Sequence, residues 1–270
     1  MQLQTDVSLK VEQTDSPDAW TVSGRGELQL SVLIENMRRE GFELQISKPK
    51  VITREIDGVL SEPFETVQVD TPEEYMGVVI ERLSLRKAVM TEMETPGNGQ
   101  VRLYFSAPSR GLIGFTNAFV SITHGYGIMN HSFSDYQPAI REEISGRRNG
   151  SLSSTDTGKV TTYSIMNLED RGTIFVEPGT EVYEGMIVGE NNREGDLAIN
   201  LTKQKQKTNV RSANKDQTSV IKEPKILTLE ESMNFIADDE YCEITPDSIR
   251  LRKIILDTNA RAKAGKNKNK

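Results

Sequence analysis

Apolar side chains recur along this chain with two periods, and the switches between them mark out its elements. Residues 5–13, TDVSLKVEQ, alternate apolar and polar, the pattern of a half-buried strand. The turn residues Asp15-Ser16-Pro17-Asp18 follow, and extended character resumes from Trp20 to Ser23, with Trp20 expected to pack on a sheet face rather than to stack on bases. After Gly24-Arg25-Gly26 the spacing becomes helical. Leu30, Leu33, Ile34 and Met37 stand at i, i+3, i+4 and i+7, which predicts an amphipathic helix over 27–40, closed by Gly41. Phe42, Leu44 and Ile46 then alternate as a strand, so the order is strand, strand, helix, strand.

A second module begins near Glu62. Residues 64–70 are strand-like, and Thr71-Pro72-Glu73-Glu74 reads as a helix start, with Thr71 as cap, Pro72 in the first helical position and a glutamate behind them. Tyr75, Val78, Val79 and Leu83 form the expected inward stripe of that helix. Strands over 88–93 and 100–107 flank the hairpin signal Pro96-Gly97-Asn98-Gly99. A helix over 111–122 and a strand over 128–133 complete a βαββαβ order, the split βαβ or ferredoxin-like arrangement. The first module matches the second half of that pattern.

From Gly146 onward Gly, Ser, Asn and Thr dominate. Gly172, Gly179, Gly185, Gly189 and Gly195 punctuate short apolar runs, Ile174-Phe175-Val176 and Met186-Ile187-Val188, which predicts a β-rich unit with tight turns. Thr228-Leu229-Glu230-Glu231 is a capping box opening a helix that ends near Ile236. Extended stretches at Glu243-Ile244 and Ser248–Lys253 surround the turn Thr245-Pro246-Asp247, and the Lys/Asn/Ala-rich tail reads as disordered.

Composition narrows the function. Nothing approaches the roughly 20 apolar residues of a membrane span, and the first residues lack the basic and apolar regions of a secretory signal. Cys242 is the sole cysteine, which fits a reducing cytosol, and two histidines, His124 and His131, cannot by themselves build a His-rich metal site. No G-x-x-x-x-G-K-[ST] run is present to cradle nucleotide phosphates, and no G-x-S-x-G elbow. Net charge is -7, yet from Thr202 to Lys222 six cations (Lys203, Lys205, Lys207, Arg211, Lys215, Lys222) face one acid, Asp216. If extended, Lys203, Lys205 and Lys207 project to one side, Arg211 offers a planar fork, and Asn209 and its neighbours add donors. From the residues alone, an RNA-facing segment and a solvated flexible loop are equally good readings. Arg110 stands at a helix start, where it could assist a phosphate or simply shape a turn. Arg147 and Arg148 can pair with acids or meet RNA, and the carboxylate runs Glu73-Glu74, Glu142-Glu143 and Asp238-Asp239-Glu240 read as solvated faces.

Five stretches carry a family resemblance. Residues 167–197, NLEDRGTIFVEPGTEVYEGMIVGENNREGDL, closely resemble the C-terminal domain specific to the BipA/TypA family of translational GTPases, and RRNGSLSS (147–154) leads into it. GRGELQLSVLIENMRREGFEL (24–44) resembles domain III of elongation-factor-G-like GTPases, while EPFETVQVDTPEEYMGVVIERL (62–83) and PSRGLIGF (108–115) resemble domain V. The resemblance implies an α+β chain. Residues 1–60 would be a partial, ferredoxin-like domain III and 61–140 a complete ferredoxin-like domain V. Residues 141–256 would be the β-rich specific domain with its basic loop at 201–222, and 257–270 a disordered basic tail.

Domain III lacks its first strand and helix, which suggests a piece of a longer protein or a truncated gene, with residues 1–50 left less stable or self-associating. What the family implies is a cytoplasmic partner of the ribosome, 50S or 70S, that touches rRNA and A-site tRNA and serves large-subunit assembly and growth under stress or cold. It also implies neither membrane nor DNA as a partner, and no cofactor on this chain, GTP and Mg²⁺ belonging to the absent N-terminal domain. It assigns the RNA contact to Lys203, Lys205, Lys207, Asn209, Arg211 and Lys215, with Arg110 as a secondary candidate. A module binding ribosomal proteins or assembly factors is the rival, and an enzyme subunit completed in trans by a separate G domain a weaker one.

Overall fold

The N-terminal hairpin forms as read: β1 (Lys10–Gln13) pairs antiparallel with β2 (Trp20–Ser23), Val11 opposite Val22. Trp20 nevertheless lies 59% exposed, so it does not pack on a sheet face. The computed structural model describes residues 8–142, 144, 147, 149–204 and 221–268. It divides into two compact units, one made of Met1–Lys48 with Arg147–Lys270, the other of Pro49–Gly146. Helix α1 (Glu27–Arg39) and strand β3 (Leu44–Ser47) follow the hairpin.

In the 49–146 unit, β4 (Arg54–Ile56) makes a hairpin with β5 (Val59–Pro72), an element well beyond the expected 64–70. Then come α2 (Glu73–Leu85), β6 (Val89–Gly97), β7 (Gln100–Pro108), α3 (Ser109–Leu112), α4 (Phe115–Ile122) and β8 (Ile128–Pro138). The strands lie side by side as β6-β7-β5-β8, all antiparallel, which is the ferredoxin-like order. One sheet face is closed by the helices: Val67, Val69, Leu103 and Phe105 meet Val79 and Leu83 of α2 and Phe115 and Phe119 of α4.

Local chemistry corrects three expectations here. Thr71 does not cap α2. It pairs with Val101 in the sheet and its hydroxyl is buried without a partner, while Glu73 N–H donates to Gly99 O across the hairpin. The inward stripe of α2 is Met76, Val79, Ile80 and Leu83, and Tyr75 instead lies against the His124 ring, centroids 5.7 Å apart. The helix read over 111–122 is broken at Gly114, whose φ of 67° is left-handed. Arg86 holds the break by donating to the carbonyls of Gly111 and Ile113 at 2.9 and 3.0 Å.

The other unit continues with β9 (Ser151–Ser154), β10 (Gly158–Lys159), α5 (Thr162–Leu168), β11 (Gly172–Ile174) and β12 (Glu181–Val182). Next are β13 (Met186–Asn191), β14 (Leu197–Ile199), α6 (Leu229–Phe235), β15 (Glu240–Ile244), β16 (Ile249–Lys253) and α7 (Thr258–Lys268). Its main sheet runs β14-β9-β13-β16-β15-β3, with β11 also on β13. The strand at 44–47 is therefore not left over from a partial sheet: β3 pairs with β15, Ile46 opposite Cys242 and Leu44 opposite Ile244. Leu44 and Ile46 enter a cluster with Ile34 of α1, Met233 and Ile236 around α6, and Leu251. An edge strand carries unpaired amides and carbonyls, and β3 satisfies those of β15 while burying its own apolar face.

The capping box is present, with Thr228 Oγ1 accepting from Glu231 N–H and Glu231 accepting from Thr228 N–H. The tail read as disordered instead forms α7 through Lys268: three alanines favour the helix, and the Asp257 carboxylate accepts from Ala260 N–H at 2.6 Å to start it. Among the described residues, no helix is long and apolar enough to cross a membrane.

The β3–β15 pairing makes a testable demand. Ile46→Ala should destabilise the unit containing Leu251 and Cys242 by about 1–3 kcal/mol, less than a fully buried isoleucine loses. Amide hydrogen exchange at Cys242 and Ile244 should accelerate, although these residues stand far away in sequence. Unchanged exchange at β15 would mean that β3 does not belong to this sheet.

Candidate functional site

The basic segment leaves and re-enters the fold at the two ends of one short helix. On the way out, Leu201 is fully buried with Leu152, Ile165 and Val188. The carbonyl of Lys203 then accepts from Thr161 Oγ1 at 2.5 Å and Ser164 Oγ at 2.8 Å. Thr161 is the N-cap of α5, so the same hydroxyl that starts the helix fastens the outgoing strand. On the way back, Ile221 packs against the same apolar cluster, and Lys222 N–H donates to the carboxylate of Glu169, the C-cap residue, at 3.1 Å. Lys225 N–H then bonds Ile174 O at 2.9 Å. The stems are thus held by one buried and one partly buried apolar residue, Leu201 and Ile221, and by polar groups at the two ends of a seven-residue helix.

Of the six residues assigned to RNA contact, Lys203 is exposed at the outgoing stem. Lys205, Lys207, Asn209, Arg211 and Lys215 lie outside the described residues. Beside Lys203, a groove of about 360 Å³ runs between α5 and β14, with Ser164, Asn167, Leu168 and Arg171 on one wall and Leu197, Ala198, Ile199 and Asn200 on the other.

Arg110 is placed differently from the stem. Its guanidinium grips Glu62, which is 1% exposed, through Nε–Oε2 at 2.5 Å and Nη2–Oε1 at 3.2 Å, and donates to the carbonyls of Ile140 and Glu142. Glu62 accepts Ile140 N–H as well. The fork is spent inside the unit, and a phosphate would have to displace a buried carboxylate to use it. His131 pairs with Glu65 at 2.5 Å. Burial alone would raise the Glu65 pKa, but its hydrogen bonds from His131 and Ser109 outweigh that and hold it below the usual range. Among the described residues no three His, Cys, Asp or Glu side chains converge as a metal site.

In the run Asp238-Asp239-Glu240, Asp238 and Asp239 are exposed as read, but Glu240 is not part of a solvated face. Glu240 is fully buried, and so is Lys253, at 0% and 1% exposure. Lys253 Nζ contacts Asp196 at 2.5 Å, Glu240 at 2.8 Å and Asp239 at 3.0 Å. Arg147 completes the cluster, forking onto both oxygens of Glu240 at 2.9 and 3.0 Å while its plane lies 4.1 Å from the Phe235 ring centre. Asp196 also accepts Ser151 N–H. Glu240 and Lys253 are direct cross-strand partners, so counting outward from the turn at 245–247 is the signal that would have found them. Burial by itself would raise the Glu240 and Asp196 pKa values, but Arg147 and Lys253 lower Glu240, and Lys253 with Ser151 lowers Asp196. Lys253 is raised, its burial outweighed by Glu240 and Asp196.

Two family profiles cover most of the chain: residues 59–146 match the elongation factor G C-terminus, and 149–258 match the TypA/BipA C-terminal domain. A relative from Bacillus subtilis is 63% identical over 99% of this chain. The chain belongs to the BipA/TypA family. That relative is named a large ribosomal subunit assembly factor BipA, as are ones from Haemophilus influenzae and Synechocystis, each 47% identical over 98% and 94% of the chain. The chain spans less than half the length of these curated relatives, 44%, 43% and 42%. The BipA/TypA domain contains both stems of the basic segment and, apart from Arg147, the whole ion cluster.

Lys253→Met should therefore destabilise the BipA/TypA domain by about 3–5 kcal/mol, because it leaves buried carboxylates unpaired. The depressed carboxylates contribute stability that is complete above their unfolded pKa values, about 4, and is lost as pH falls through their folded values. Raised Lys253 contributes below its unfolded pKa, about 10.4, and loses that contribution as pH rises through its folded value. Urea unfolding followed from pH 2 to 8 should show the parent losing stability at the acid end and the variant losing less. Parallel curves would mean that the cluster does not set the acid dependence of stability.

Proposed function

We propose that this chain is the ribosome-docking region of a BipA/TypA translational GTPase serving large-subunit assembly. Its basic segment, Lys203 to Lys222, meets rRNA and the acceptor end of A-site tRNA. The observation that carries the reading is the mounting of that segment: six cations against one acid, entering and leaving a folded domain at the two ends of α5. Both stems are fixed to one helix, and phosphate contacts made by such a run of cations are screened by salt. The names of the relatives, large ribosomal subunit assembly factors, support the partner. GTP hydrolysis in such a protein belongs to its G domain, with GTP and Mg²⁺ bound there, and this chain docks in the cytoplasm without catalysing the reaction.

One observation favours an added protein contact. Every residue of β6 is exposed at the edge of its sheet, including Val89, Met90 and Met93, and such an edge suits a ribosomal protein or assembly factor.

Co-sedimentation with purified 50S subunits across a salt series tests the reading. The parent should pellet with the subunits, and binding should fall steeply with salt. A variant with Lys203, Lys205, Lys207 and Arg211 changed to Ala should bind more weakly, with a log–log salt slope shallower by about 0.7–0.9 for each phosphate no longer neutralised. Equal binding by parent and variant would shift docking to the 49–146 unit and its protein contact.

A further inference from the structure

The groove beside Lys203 has three properties that belong together. Leu168, Leu197 and Ala198 form an apolar patch in a lining that is otherwise largely polar. Arg171 and Lys203 are exposed cations on it, and among the described residues neither side chain has an ion pair or hydrogen bond. The neighbouring acids bond Lys222 instead, Glu169 accepting its amide at 3.1 Å and Asp170 lying 3.9 Å from its ammonium, and among the described residues neither forms an ion pair with Arg171. Asn167 donates to Tyr163 O at 2.7 Å, which leaves its own Oδ1 as an acceptor.

We propose that this groove is a subsite for one unpaired nucleotide of RNA, its base against the apolar patch and its phosphate between Arg171 and Lys203. The inference rests on the docking reading above and extends it from charge to a shaped site. A volume of about 360 Å³ suits a single nucleotide-sized group. Charge complementarity chooses the occupant: unpartnered cations call for an anion, and the apolar patch formed by Leu168, Leu197 and Ala198 calls for a flat, weakly hydrated group attached to it. A nucleotide supplies both, whereas an acidic peptide satisfies the cations and wastes the patch. Base-paired RNA also leaves the patch empty, because its bases are stacked inside the helix.

The test uses the full chain and fluorescence anisotropy with a labelled single-stranded hexaribonucleotide, an RNA hairpin duplex and a poly-glutamate peptide. Ala198→Phe fills the groove at an exposed position, and Arg171→Ala removes one cation. Both variants are first checked for an unchanged melting temperature. Ala198→Phe should weaken hexanucleotide binding about tenfold, the loss expected when one base is denied its platform. Duplex binding should change less than about twofold, since it depends on phosphates alone. Arg171→Ala should weaken hexanucleotide binding and reduce its salt slope by about 0.7.

Hexanucleotide binding that neither substitution alters would overturn the subsite, as would a peptide that competes as well as the single strand. A parent that sediments with 50S subunits but ignores the hexanucleotide would also overturn it, leaving docking intact. Groove-dependent hexanucleotide binding without sedimentation would support the subsite and remove the docking reading.

Discussion

A lysine buried at 1% exposure among three carboxylates is the constraint that organises the C-terminal domain. Such a charge is costly to desolvate and is tolerated only when its partners are held close and are themselves satisfied. Lys253 meets that condition by gathering pieces distant in sequence: β16 itself, β15 through Glu240, and Asp196 just before β14. Glu240 in turn fixes Arg147 at the entry to the domain, and Arg147 spreads over Phe235, which meets Phe175 edge-on at 5.1 Å. A hydrophobic replacement of equal volume could be as stable, but the ionic cluster is directional, and it allows one relative placement of these segments. We read it as a device for specifying the fold rather than for strengthening it.

The mounting of the basic segment follows from that rigidity. Asp196 leads directly into β14, and β14 pairs in parallel with β9 at the edge of the sheet. Two residues beyond β14, Leu201 is buried, and two further on the Lys203 carbonyl is caught by Thr161 and Ser164. Chain order thus carries the constraint from the ion cluster to the stem in a few residues. The return stem is held from the other end of α5, so movement of one stem is resisted by the helix that holds both. Both described stems are therefore fixed to the same seven-residue helix.

What could be read from the sequence was local. The period of apolar positions located α1, α2 and the ferredoxin-like strands, and Asn98-Gly99 marked its hairpin, both residues adopting positive φ. Thr228 and Glu231 announced α6 because a capping box is complete within four positions. Most of the failures involve partners remote in sequence or a competing local claim, while the tail helix rests on local alanines and the Asp257 cap. Leu44 and Ile46 show strand periodicity but carry no label for β15, some 200 residues on. Thr71 has the residue type of a cap, yet the sheet claims it first. Asp239-Glu240 looks like any solvated acidic run until the β15–β16 register sets Lys253 opposite. Charge located the basic segment and family wording supplied its RNA assignment, whereas Arg171, inside the family block 167–197, is singled out only because α5 and β14 lie side by side.

The central claim is that the segment leaving the fold at Lys203 faces ribosomal RNA. Directed hydroxyl-radical probing tests it most directly. Burial pushes the Cys242 thiol up to about 12, so the natural cysteine stays inert and a single introduced cysteine can carry an iron chelate. Probes would be placed by Lys203→Cys and, as a control, by Asp247→Cys at the exposed turn between β15 and β16. On 50S subunits, an RNA-facing segment predicts focused rRNA cleavage from position 203 that fades as salt is raised, with weaker or differently placed cuts from 247. Subunit-bound protein that cuts no rRNA from position 203 would contradict it.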